Sequence, residues 1–155
     1  MISTDQIMDV LRHAPEQYYR LVLVVGPAGT GKTEALRDIS ARHNFPYVNV
    51  NLELSQRLVH LNTRQRSLSA FRELEQIVAR DVGTVTLDNL EMLFDPALQV
   101  DPLFCLQRLS RNSTVVAAWN GTIVENQLRY AEPEHPEYRR YPVRDFLLAQ
   151  SQTSA

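Results

Sequence analysis

At 155 residues, with 44% hydrophobic and 22% charged side chains, the chain can bury one core and lacks the composition of a disordered or repeat protein. A formal net charge of −2 excludes the strongly basic balance that favours direct binding to a nucleic-acid backbone. Cys105 is the only cysteine, so no internal disulfide can form, and His13, His43, His60 and His135 lack metal-ligand spacing.

Asp5, Asp9, Arg12 and Glu16 interrupt the apolar residues of the first twenty positions, as they would not in a signal peptide. No apolar run approaches the ~20 residues needed to cross a bilayer. The expectation is a cytoplasmic protein without membrane contact. Thr4 is placed to cap a first helix with Ile7, Val10 and Leu11 at helical spacing, ending near Ala14 before Pro15. Residues 21–25, Leu-Val-Leu-Val-Val, read as a strand buried on both faces of a parallel sheet. A helix over 31–43, stopped by Asn44, leads to a second strand over 47–50. Two helices follow, over 55–61 and 64–80, the second with Leu68, Phe71, Leu74 and Val78 inward and Gly83 past its end.

A third strand, over 84–88, finishes on the carboxylate of Asp88. Asp101 then Pro102, an N-cap with proline at the first helical position, open a helix to about Leu109. That helix feeds a fourth strand over 114–119. Beyond Gly121, residues 122–124 and 128–130 can form a hairpin, Pro133, Pro136 and Pro142 mark a loop, and 143–149 can make a last short helix. The Ser/Gln/Thr tail over 151–155 reads as disordered, leaving one domain over 1–150. Strands alternating with helices give an α/β protein with a mostly parallel central sheet.

Gly26-Pro27-Ala28-Gly29-Thr30-Gly31-Lys32-Thr33 matches G-x-x-x-x-G-K-[ST] in full, directly after an apolar strand and directly before a helix. In that setting glycines let backbone N–H groups curl around a β-phosphate, and the helix N-terminus adds partial positive charge. Lys32 reaches the β- and γ-phosphates, Thr33 offers a hydroxyl to Mg²⁺, and Glu34 follows in the first turn. The expected ligands are ATP or ADP with Mg²⁺. Lys32 is also the single lysine of the chain, where a planar guanidinium would crowd the phosphates.

Asp88 has the position of a Walker B carboxylate, holding the magnesium water shell opposite Thr33. Many P-loop ATPases with an inserted strand place a glutamate directly after this aspartate, and here the residue is Asn89. Glu91 is the nearest acid and the candidate catalytic base, with Glu53 as the other. Asn120 resembles the polar sensor residue that AAA+ ATPases place beside the γ-phosphate, or else forms a turn with Gly121. Arg108 and Arg111 either act as fingers toward a neighbouring subunit's nucleotide or are solvated helix-end charges. Arg57, Arg64, Arg66 and Arg72, without interleaved aromatics, read as a solvated helix face. Cys105, within an apolar stretch, reads as a small buried thiol.

With these motifs assembled, the chain resembles BrxF, the family of small P-loop proteins of type III BREX bacteriophage-defence systems, over about 19–141. The marks are residues 21–33, Tyr47-Val48-Asn49-Val50-Asn51-Leu52-Glu53-Leu54-Ser55, Leu87-Asp88-Asn89-Leu90-Glu91, residues 115–121, and Tyr130-Ala131-Glu132-Pro133-Glu134-His135-Pro136-Glu137-Tyr138. The resemblance implies an ATP-binding subunit of a multi-protein restriction-like system, with other BREX proteins as partners and DNA reached indirectly through the complex. It carries over roles for Lys32, Thr33 and Asp88 only. The fold expected is a three-layer P-loop NTPase with an AAA+/ASCE-like core and a reduced or absent lid, its nucleotide exposed unless a second copy covers it. Three readings compete: an ATPase switch or motor subunit, a nucleotide-binding regulatory or scaffold subunit, and a small-molecule kinase. The short, proline-rich region after Asn120 leaves little room for a kinase lid.

Overall fold

The computed structural model describes residues 2–78 and 83–150. Strand β1 (Leu21–Gly26) is buried at all six positions. Its continuous apolar run follows from its place, since it has a strand on each edge and helices on each face. The parallel core has the order β2 (Tyr47–Asn49), β3 (Thr84–Asp88), β4 (Thr114–Val124), β1, β7 (Leu147–Gln150). Strand β4 therefore separates the glycine-loop strand from the strand that ends on Asp88. Its register runs from Leu21↔Val115 to Gly26↔Asn120 against β1, and from Thr84↔Thr114 to Leu87↔Ala117 against β3.

Alternation of side chains along β1 divides the interior in two. Leu21, Leu23 and Val25 pack with residues of α3 (Val50–Leu58), α4 (Thr63–Val78) and α5 (Pro102–Leu109). Val22 and Val24 pack with residues of α1 (Thr4–Leu11) and α2 (Lys32–His43). Helix, sheet and helix thus form three layers. Cys105 is buried, and burial pushes its thiol up to about 12, with Asp101 acting in the same direction. No helix among the described residues is long and apolar enough to cross a membrane.

Strand β4 does not stop at Asn120. It continues to Val124 and pairs antiparallel with β5 (Gln127–Tyr130), which pairs with β6 (Arg139–Pro142), so a three-stranded wing extends from the carboxyl end of the core. The expected Asn120–Gly121 turn is absent because Asn120 lies opposite Gly26 and Gly121 opposite Tyr130. The turn sits at Glu125 and Asn126, whose φ values of 51° and 60° suit an I′ hairpin. Gly121 serves close approach instead: a Cβ there would lie 1.9 Å from the Arg129 carbonyl oxygen and 2.9 Å from Trp119 Nε1. The Phe94 and Tyr130 rings stack at 3.5 Å, with Trp119 edge-on to both.

Other expectations need correction. Ser3, not Thr4, caps α1, accepting from the Gln6 N–H at 3.4 Å. Helix α3 begins at Val50 rather than at position 55, because the Asn49 side chain accepts from the Leu52 N–H at 3.1 Å and ends β2. In α4 the buried stripe is Ala70, Leu74, Ile77 and Val78; at ~100° per residue Leu68 falls on the opposite face, and it is 75% exposed. The expected end of α4 at position 80 lies outside the described residues, as does the tail over 151–155. Pro142 closes the edge strand β6 rather than marking a loop, which an edge strand tolerates because its outward N–H needs no partner. The last helix expected over 143–149 is instead β7. Asp145 turns the chain at φ 63°, and the apolar residues that follow pair with the open edge of β1.

Gly121→Ala should force β5 away from β4 and lower the unfolding free energy by about 1–3 kcal/mol. Urea denaturation checks this, and an unchanged midpoint would mean that the wing is not packed as described.

Candidate functional site

The glycine loop leaves β1 at Gly26 and enters α2 at Lys32. Gly29 and Gly31 hold φ at 84° and 86°, a left-handed conformation that an L side chain would strain, although at Gly29 a Cβ would meet nothing within 4 Å. Two bonds brace the loop: the Thr30 hydroxyl donates to the Pro27 carbonyl at 2.7 Å, and the Ile2 N–H donates to the Thr30 carbonyl at 3.2 Å. Ala28, Gly29, Gly31, Lys32, Thr33, Glu34, Asp88 and Asn120 line one open cleft of about 520 Å³, together with Asn89. Gly26 and Pro27 line an adjoining groove of about 390 Å³ with Gly121, Ile123 and Gln150. The cleft lies outside the carboxyl ends of parallel strands, where open α/β sheets take their ligands.

Lys32 is buried. Its ammonium donates to the carbonyls of Gly26 and Pro27, each at 2.7 Å, and to Thr30 Oγ1 at 3.3 Å. Burial lowers its pKa, and the carboxylates of Asp88 and Glu91 act in the opposite sense. Asp88, also buried, gathers three donors. The hydroxyls of Thr33 and Tyr47 donate to Oδ2 at 2.7 and 2.6 Å, and the Asn89 N–H donates to Oδ1 at 2.9 Å. The Tyr47 phenol is pushed up to about 12, first by burial and then by its bond to Asp88. Asn89 itself sits at φ 57°, a left-handed position that asparagine tolerates better than most residues.

Glu91 meets the cleft through Asn120. The Asn120 side-chain amide donates to Glu91 Oε1 at 2.6 Å, and the Asn51 amide donates to Oε2 at 3.1 Å. Asn51 is fixed in turn, since its Oδ1 accepts from the Met92 N–H at 2.8 Å and its own N–H donates to the Asn89 carbonyl at 3.0 Å. The structure therefore brings the sequence candidates Lys32, Thr33, Asp88, Glu91 and Asn120 together. Sequence reasoning missed Tyr47 and Asn51. The available signal was the polar alternation of the second strand, which pairs with β3 so that Asn49 lies opposite Asp88.

Arg108 and Arg111 lie elsewhere. Both precede β4, whose seven-residue run from Thr114 to Asn120 spans roughly 20 Å, so they sit at the far end of the sheet from their own chain's cleft. Each guanidinium covers a ring, Arg108 over Phe71 at 3.9 Å and Arg111 over Tyr18 at 3.5 Å. Of the basic helical stretch, Arg57 pairs with Glu73 at 3.0 Å, and Arg66 donates to the carbonyls of Leu58 and Leu61 at 3.1 and 2.9 Å. Those two are bound to the protein's own acceptors.

No family model matches the chain, and no curated protein matches it. Among solved structures the chain is similar to one in the structure of C. elegans PCH-2, at 16% identity and a TM-score of 0.45. The match covers 97% of this chain and 42% of that one. The chain thus spans less than half the length of that neighbour, and a likeness so distant assigns no activity.

Asn51→Asp would keep the acceptor for Met92 but set a carboxylate against Glu91. One of the two facing acids then takes a raised pKa in the folded state, so stability is lost as pH rises through it and regained as pH falls toward about 4. Relative to the parent chain the variant should be destabilised by about 1 kcal/mol at pH 7, as for two like charges facing each other at a half-buried site, and by little at acid pH. Denaturation curves at several pH values test this.

Proposed function

We propose that this chain is a P-loop ATPase subunit that binds Mg-ATP through residues 26–33. The observation that carries the reading is the 2.7 Å bond between the Thr33 hydroxyl and the Asp88 carboxylate, on the cleft that Lys32 lines. Two hard oxygen donors side by side suit magnesium, which takes one or two protein oxygens and completes its shell with phosphates and water. Among the described residues no group of three His, Cys, Asp or Glu stands ready to hold a metal alone. Thr33 and Asp88 would hold the ion, which when bound neutralises charge on the phosphates.

The chain's own groups divide the remaining work. The N–H groups of the loop and the first turn of α2 bind phosphate oxygens, and Lys32 turns its ammonium from the loop carbonyls to the β- and γ-phosphates. Glu91, held between Asn51 and Asn120, would orient and deprotonate an attacking water, and Asn120 would contact the terminal phosphate. The strand order, with β4 between β1 and β3, supports an AAA+/ASCE-like core, and among the described residues after β4 only strands follow, with no helix to serve as a lid. The sequence resemblance supports membership of the BrxF family. It implies a cytoplasmic subunit working with other BREX proteins, with DNA contacted indirectly through the complex.

A second reading, a nucleotide-binding regulatory or scaffold subunit with little intrinsic hydrolysis, is favoured by one observation. Asn89 occupies the position after Asp88, and both oxygens of Glu91 are engaged by amides. Calorimetry and phosphate release separate the two. Lys32→Ala should weaken Mg-ATP binding at least tenfold and abolish turnover, the cost of losing a charge-assisted contact to phosphate. Glu91→Gln should keep binding and slow hydrolysis roughly 100-fold. Equal affinity and turnover in parent and Lys32→Ala would end the ATP assignment. Turnover unaltered in Glu91→Gln, or none in the parent even with the other defence proteins, would favour the regulatory reading.

The open cleft and the distant arginines point to a homo-oligomer in which a second copy completes the site. Mixing Arg111→Ala with Lys32→Ala subunits should then restore activity that neither has alone, because one mixed interface keeps both intact halves. ATPase rate across mixing ratios decides this. A chain that stays monomeric in ATP and turns over at full rate would exclude the shared site.

A further inference from the structure

Asp88 is a buried carboxylate with about four lone-pair sites, and the chain's own donors occupy three of them. Oδ2 accepts from Thr33 at 2.7 Å and from Tyr47 at 2.6 Å, while Oδ1 accepts from the Asn89 N–H at 2.9 Å. Only Oδ1 keeps a free site. A carboxylate at a strand end can rotate about its terminal torsion at little cost, because that torsion has broad wells. The Thr33 bond alone would permit such rotation, since either oxygen could take that hydroxyl in turn.

Tyr47 removes this freedom. It reaches Asp88 from the neighbouring strand β2, where its backbone lies opposite Thr86, two residues before the acid. Arg37 also bears on this tyrosine: its guanidinium lies 5.3 Å from the ring centroid and hydrogen-bonds the phenol. Phenol and threonine hydroxyl approach the same oxygen from two elements, and the backbone N–H fixes the other oxygen. The carboxylate plane is thereby set from three directions.

We infer that Tyr47 is a positioning residue for the magnesium site: by occupying Oδ2 together with Thr33, it turns the remaining lone pair of Asp88 Oδ1 toward the metal's water. The inference rests on the proposed magnesium role of Asp88 and adds the residue that orients it. Tyr47 touches neither phosphate nor metal in this role. Its signature is accordingly a change in how strongly magnesium strengthens nucleotide binding, with metal-free binding left alone.

The experiment is calorimetric titration of ADP and of ATP into the protein, first in excess EDTA and then across a magnesium series, for the parent chain, Tyr47→Phe, Arg37→Ala and Asp88→Asn. In Tyr47→Phe the magnesium concentration at half-effect should rise roughly 5- to 10-fold, the scale of one ordinary net hydrogen bond, since the acid keeps its other two donors. Affinity in EDTA should match the parent. Arg37→Ala, which leaves the hydroxyl in place, should shift the magnesium midpoint less than twofold. A parent-like midpoint in Tyr47→Phe beside a shifted Asp88→Asn would overturn this inference alone. An Arg37→Ala shift as large as that of Tyr47→Phe would also overturn it, by assigning the effect to the Arg37 charge and its contact with the phenol rather than to the bond between Tyr47 and Asp88. Equal loss of affinity with and without magnesium in Tyr47→Phe would do the same. If magnesium strengthens binding equally in the parent and Asp88→Asn, the metal role of Asp88 falls and the inference falls with it.

Discussion

The parallel register of β1, β4 and β3 is the constraint on which the site depends. Strand β4 pairs with both neighbours, so one hydrogen-bonded frame fixes the relative heights of Gly26, Asn120 and Asp88. Gly26 lies opposite Asn120, and Leu87 lies opposite Ala117, which leaves Asp88 projecting just past the paired segment. A one-residue slip of β4 would turn Asn120 to the other face of the sheet and bury Ala118 where Trp119 now stands. The slip is opposed by two separate cores, because Val116 and Ala118 pack with α2 while Val115, Ala117 and Trp119 pack on the opposite side.

That frame tolerates the buried Lys32 and Asp88 and the half-buried Glu91 because each is answered. Lys32 has three oxygen acceptors, Asp88 three donors, and Glu91 an amide on each oxygen. Leaving one such group unpaired would cost about 1–3 kcal/mol, and more where it is charged. The polar side chains of the cleft therefore fall into three bonded groups: Lys32 on the glycine loop, Asp88 with Thr33 and Tyr47, and Glu91 with Asn51 and Asn120.

The sequence made the central layer legible where a single physical signal dominated. The apolar run of β1, the glycine loop, the Asp101–Pro102 helix start and the acid ending β3 each appear where composition and spacing place them. Legibility failed where two elements of similar local chemistry competed. Residues 147–149 are apolar without a period, and only the open edge of β1 makes them a strand. Asn120–Gly121 has the composition of a hairpin turn, yet the pairing of β4 with β1 and then β5 draws it straight through. Tyr47 and Asn51 were hidden for a different reason: their partners lie about 40 positions away, and no local pattern encodes a bond of that span.

The left-handed backbone at Asn89 reaches beyond its own side chain. A residue directly after Asp88 must accept φ 57°, a conformation that asparagine takes at lower cost than most residues and that Gln99 and Glu125 also take in this chain. Asn89 therefore suits the turn without the turn excluding an acid there. Two places on, Glu91 opens the 3₁₀ segment Glu91–Phe94 on an ordinary backbone, and the amides of Asn51 and Asn120 each take one of its oxygens. The direction of this carboxylate is thus set jointly by the start of α3 and by β4, so a change in either element alters how it is held.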